Sequence, residues 1–161
     1  MMGEGHFGLT LIALSLIGLP FGLGPDYSMV MIIIIGVALS SLPDIDLRTD
    51  KVHHRGITHS LLFAIIAGLI VGTIFGYLSG FIWGIIGFIG GFCGIILHLL
   101  GDVFTFHKFR PLYPFDAIIF KRKIYLGFGL FYANNKSVNS GFFILGCMTC
   151  AFYLAYSLGY I

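Results

Sequence analysis

The stretch GFIWGIIGFIGGFCGIILHLLGD, Gly80–Asp102, has no charged side chain before its last residue. Its apolar run, Gly80–Leu100, is long enough to cross a bilayer, which takes about 20 predominantly apolar residues. Read as a helix, it places His98 and Asp102 four residues apart, on one face of its final turns. An imidazole and a carboxylate in that arrangement form a two-point clamp for zinc, manganese or a similar divalent ion. The plain alternative is a buried His–Asp hydrogen bond.

The rest of the chain fits a membrane setting. Of its 161 residues, 58% are hydrophobic and 10% charged, and the mean hydropathy is +0.99. Soluble domains carry about 25% charged residues. The 23 glycines and 17 phenylalanines suit close helix packing and a lipid-facing surface. Cys93, Cys147 and Cys150 all fall in apolar segments, so the Cys147–Cys150 pair reads as membrane-buried thiols rather than a metal or redox motif. The N-terminus has no Lys or Arg before its apolar run, unlike a secretory signal peptide, so the first apolar segment is expected to remain in the mature protein.

Five apolar segments are expected to form a single domain over residues 1–161, an all-α polytopic membrane bundle of about five transmembrane helices. They run from about Phe7 to Gly24, Tyr27 to Leu42, Ser60 to Leu78, Gly80 to Leu100 and Val138 to Leu158. The first two are short, and Pro20 and Pro25 interrupt their junction, so they also fit a tilted or re-entrant pair. With five spans, all nine Lys and Arg fall in two loops on one side: Arg48, Lys51 and Arg55, then Lys108, Arg110, Lys121, Arg122, Lys123 and Lys136. The positive-inside rule puts that side, with the N-terminus, in the cytoplasm of a cell or inner membrane. All six histidines and every acid except Asp26 gather there too. Residues 102–137 form the one long extramembrane piece, expected as a small β-hairpin-like segment turning at Lys121–Lys123 on the membrane surface.

Four separate segments deliver His or Asp to this face. Asp44 and Asp46 follow Pro43, which biases Leu42 away from helix. His54, Arg55, Gly56 and His59 precede the third span, which Thr58 or Ser60 can cap. His98 and Asp102 end the fourth span, and His6 precedes the first. Taken singly these are solvated acids, interfacial histidines or a lipid-binding basic loop. Together, ionisable groups converging at a bilayer boundary mark function. His6, Asp44, Asp46, His54, His59, His98 and Asp102 supply enough ligands for one metal, or for two sharing a bridging carboxylate. No Ser-His-Asp pattern, P-loop or glycine-rich nucleotide motif competes, and no nucleic-acid partner is expected.

The motifs EGH (Glu4–His6), LPDID (Leu42–Asp46), HRGITHSL (His54–Leu61) and LHLLGD (Leu97–Asp102) carry a resemblance. Thr105, as a D-x-x-T, and PLYPF (Pro111–Phe115) extend it. Together they resemble the small membrane-bound metal-dependent hydrolases of bacteria and archaea, the LexA-binding, inner membrane-associated hydrolases. The resemblance runs to about Phe115, with a looser match around Asn134, Asn135 and Asn139. It implies metal-dependent hydrolysis. The order of His, Asp, His and H-x-x-x-D is remotely similar to zinc-dependent phospholipases C. That likeness implies metal ligation by His6, Asp44 or Asp46, His54 or His59, His98 and Asp102. A downstream H-x-x-x-E is absent.

The leading expectation is a membrane-embedded hydrolase using one or two divalent ions, zinc first and manganese or magnesium as alternatives. It would cleave a phosphoester of a membrane lipid or lipid-linked substrate at the cytoplasmic face. Asp44 or Asp46 would bridge metals or act as base, Arg55 would neutralise a phosphate oxygen, and Lys108, Arg110 or Lys121–Lys123 would attract the head group. The alternative is a non-catalytic metal-binding sensor, scaffold or envelope-maintenance factor. A transporter is disfavoured, because the centres of the expected spans hold no charge. Nothing in the sequence sets the oligomeric state.

Overall fold

In the computed structural model, residues 1–21, 27–48 and 56–160 are described, and for residues 21 and 46–48 the backbone alone. The described residues form six α-helices and no sheet: α1 Gly3–Gly18, α2 Tyr27–Leu39, α3 Leu61–Ser79, α4 Phe81–Val103, α5 Phe115–Ile119 and α6 Lys136–Ser157. The architecture is an all-α bundle. Among the described residues, four stretches are long and apolar enough to cross a membrane: Tyr27–Ile45, Leu61–Ser79, Phe81–Val103 and Lys136–Ser157. The expected first span is shorter than the others. α1 has 16 residues, about 24 Å of helix, and a 3-10 turn, Leu19–Phe21, follows it. His6 lies within α1 rather than ahead of it.

Small residues decide how closely these helices approach. A Cβ on Gly94 of α4 would sit 2.3 Å from the Gly36 carbonyl oxygen of α2. A Cβ on Gly8 of α1 would lie 2.2 Å from the Phe142 carbonyl oxygen of α6. Backbone-to-backbone contact of this kind replaces the hydrophobic drive that helices lack in lipid. Elsewhere large apolar side chains turn outward: Leu69, Ile70 and Ile74 on α3, and Ile144, Met148 and Phe152 on α6 are all exposed. Such a surface suits hydrocarbon and not water.

α3 and α4 form an antiparallel hairpin joined by Gly80 alone, at φ +96°. That backbone region is open to glycine and strained for other residues. The hairpin brings the start of α3 level with the end of α4. Ser60 caps α3, its hydroxyl accepting the Phe63 N–H at 3.2 Å, and the Pro111 carbonyl accepts the Leu61 N–H at 2.8 Å. Asn135 caps α6 by accepting from the Val138 N–H.

The segment between α4 and α6 departs from the expected hairpin. FDAII is the short helix α5, and only two isolated bridges form, Thr105 with Phe131 and Phe109 with Leu126. Asp116 explains the change. Its carboxylate accepts from the Ala117 and Ile124 N–H groups and from both forks of Arg110, which ties the backbone into a compact turn instead of a ladder. The chain then returns along the end of α4, where Phe128 and Leu130 donate N–H to the Val103 and Phe104 carbonyls. Those are carbonyls that a helix end otherwise leaves open.

Candidate metal centre

The polar side chains of the cluster arrive from four helix ends, with His98 and Asp102 sharing the end of α4. Pro43 sets the first position. It has no N–H to offer the Leu39 carbonyl, and the Asp44 N–H bonds the Ser41 carbonyl rather than that of Ser40. α2 therefore gives way to the 3-10 turn Leu42–Arg48. The Ser40 carbonyl turns to α4 and accepts a hydrogen bond from His98 Nδ1 at 2.6 Å. A carbonyl can only accept, so Nδ1 carries the proton and Nε2 of a neutral His98 is left with its lone pair.

That nitrogen faces a ring of further acceptors. His98 Nε2 lies 3.3 Å from His59 Nε2, 3.6 Å from Asp44 Oδ1 and 3.9 Å from Asp102 Oδ2. His59 Nε2 lies 3.6 Å from Asp44 Oδ1 and 3.5 Å from Asp102 Oδ2. The two imidazole nitrogens thus share an edge of two triangles, one closed by Asp44 and the other by Asp102. Ligand atoms at bonds of about 2.0–2.1 Å around a tetrahedral ion stand roughly 3.4 Å apart, and these separations approach that value. Lone pairs facing one another at this range need a proton or a metal ion between them.

The surrounding contacts orient the rings. Thr58 Oγ1 pairs with His59 Nδ1 at 3.1 Å, leaving Nε2 for the cluster, an outer arrangement typical of metal-ligating histidines. Phe109 packs edge-on to His59, with centroids 6.4 Å apart, and is itself buried with Leu99 and Val103. His6 stacks on His98, with ring centroids 3.7 Å apart. It donates from Nε2 to the Met1 carbonyl, and its Nδ1 has no hydrogen-bond partner among the described residues. Asp102 Oδ1 lies against the Met1 amino group and 3.6 Å from His6 Nε2. Among the described residues, two sets of side chains are close enough to hold an ion, His6–His98–Asp102 and Asp44–His59–His98. The donor set of imidazole and carboxylate suits zinc.

The structure therefore brings together five residues that the sequence singles out: His6, Asp44, His59, His98 and Asp102. The Asp46 side chain, His54 and Arg55 lie outside the described residues. Lys108 is exposed. Arg110 is held elsewhere, donating to Asp116 from Nε at 2.8 Å and from Nη2 at 2.6 Å. Sequence reading misses the Ser40 carbonyl and Phe109. It also leaves Asn139 without a role. Asn139 is buried, accepts from the Met2 N–H and donates to the Ala133 and Asn135 carbonyls, so it fixes the entry to α1.

No match to a curated protein or to a solved structure was found at a significant level. The four long apolar stretches make this a multi-pass membrane protein, and the chain belongs to the YdjM inner membrane protein family, whose model matches residues 1–160.

Proposed function

We propose that the cluster binds a divalent cation, zinc first, and that the protein is a membrane-embedded hydrolase of a phosphoester in a lipid or lipid-linked substrate. One observation carries this reading. The lone-pair nitrogen of His98 is aimed at His59, Asp44 and Asp102, and one divalent cation between them would satisfy these groups together. A bound ion of this kind polarises a phosphoryl oxygen and activates water at neutral pH. His59, His98 and Asp102 would hold it from the buried side, with His6 as a further ligand. Asp44, whose side chain is 21% exposed, would be its most open ligand or the base that takes a proton from water. Arg55 and Lys108 supply positive charge for the phosphate. The cytoplasmic placement of this face follows from the Lys and Arg count.

A non-catalytic metal site is the second reading. It is favoured by the closure of the cluster, since His6, His59 and His98 are fully buried and structural sites lack an open position. Detergent-solubilised protein separates the two. Phosphate or head-group release from a panel of phospholipids and isoprenoid phosphates should appear with zinc or manganese, vanish with chelator and fall steeply in Asp44→Asn. Bound metal with no release from any substrate would overturn the hydrolase reading.

A further inference from the structure

The cluster is not equally buried on all sides. His6, His59 and His98 have no exposed surface and Asp102 has 1%, whereas the Asp44 side chain is 21% exposed. Among the described residues, Asp44 is the member of the cluster most open to the outside. It forms one wall of a cavity of about 520 Å³ between the first turns of α1 and the end of α2. This volume falls within the range of small-molecule sites.

The remaining walls are mostly apolar: Phe7 from α1, with Ala38, Leu42 and Ile45 from α2 and the turn after it. One polar group interrupts them. Ser41 lines the cavity, and its hydroxyl is buried with no hydrogen-bond partner among the described residues. A ligand oxygen at this point would satisfy a hydroxyl that no described residue pairs with. Gly3 also lines it, and a Cβ there would make an ordinary 3.4 Å contact with Ser41 Oγ. A second cavity of about 470 Å³, between α3 and α4, serves as a contrast. Its walls include Leu69, Phe81, Ile85 and Phe88, with Thr73 as the one polar side chain and no acid or histidine.

We infer that the cleft between α1 and α2 seats the lower part of a phospholipid, its chain against Phe7, Ala38, Leu42 and Ile45 and its ester region at Ser41, so that the phosphoester reaches the cluster past Asp44. This rests on the metal-site reading and names its substrate class: an amphiphile delivered from the bilayer, not a free phosphomonoester from water. An acyl chain matches these apolar walls, whereas a water-soluble phosphoester would leave them uncovered.

The test uses full-length protein in nanodiscs of phosphatidylglycerol doped with a phospholipid carrying a diazirine near its glycerol, together with metal analysis of the same samples. Labelling is expected to concentrate on the peptides containing Phe7 and Ala38–Ile45. In Ala38→Trp it should fall several-fold against labelling of α3, with metal content unchanged. Ile45→Trp, at an exposed position on the rim, provides a second block should the larger side chain at Ala38 disturb folding. Labelling spread evenly over the lipid-facing helices, or unchanged in both variants while metal stays bound, would overturn the cleft and leave the metal site standing. Cleft labelling in protein that takes up no metal would instead refute the metal-site reading and leave a lipid seat.

Discussion

Two buried aspartates near the same end of the bundle are treated in opposite ways. Asp116 has no exposed surface and is closed by four donors at 2.6 to 2.9 Å: both forks of Arg110 and the backbone N–H groups of Ala117 and Ile124. Asp102 is equally buried, but His59 and His98 stand off its Oδ2 at 3.5 and 3.9 Å. The first carboxylate is satisfied by groups that the chain supplies permanently, and its work is to hold a turn together. The second meets the Met1 amino group at Oδ1, while its Oδ2 faces two imidazoles near the spacing of ligands around an ion. Burial and charge are the same in both, and the partners set the role.

Exchanging each aspartate for asparagine breaks the comparison most sharply. Asp102→Asn is expected to abolish metal uptake, and with it any rise in Tm on adding zinc, while the helical circular dichroism stays near wild type. Asp116→Asn is expected to do the reverse. Zinc-dependent stabilisation should persist, Tm should fall by several degrees, and hydrogen exchange should quicken over residues 115–126.

The next effect is smaller and concerns orientation. Thr58→Val removes the partner of His59 Nδ1 without touching a ligand atom. Loss of such an outer contact lowers metal affinity about 10–100-fold, which competition with a chromogenic chelator would measure. An unchanged affinity would mean that the His59 ring is fixed by packing against Phe109 instead.

Acidity tests the other aspartate. The Arg110 guanidinium, aided by the Ile124 and Ala117 N–H groups, pulls Asp116 down to about 2. An unfolded aspartate titrates near 3.9. The stabilisation is therefore complete above about pH 4 and is lost as pH falls toward 2. The gap in Tm between wild type and Asp116→Asn should close over that window and stay constant above it. The smallest effect expected is that of Ser60→Ala. Removing the cap of α3 costs about 1 kcal/mol, with at most a minor change in metal binding.

Much of this arrangement is legible in the sequence because the helix period is strong there. The four-residue spacing of His98 and Asp102 puts both on one face, and the apolar runs fix which helix ends share a side. The choice between Asp44 and Asp46 is not legible, because the 3-10 turn after Pro43 has its own rotation per residue and neither the 3.6 nor the 2.0 period applies to it. The Ser40 carbonyl that orients His98 leaves no mark in a sequence, since every residue has one. Arg110 reads there as a free cation for a head group, and its pairing with Asp116 depends on a turn that no periodicity announces. β-prone residues in FDAIIF suggest a strand, and the hydrogen bonds gathered by Asp116 override them.

The central claim is that His59, His98, Asp44 and Asp102 converge on an ion. Elemental analysis of purified full-length protein tests it directly, comparing wild type with His59→Ala and Asp102→Ala after equal exposure to zinc and equal desalting. At least one ion per chain in the wild type, lost in both variants, is the predicted result. The same substoichiometric metal in all three proteins would contradict the account.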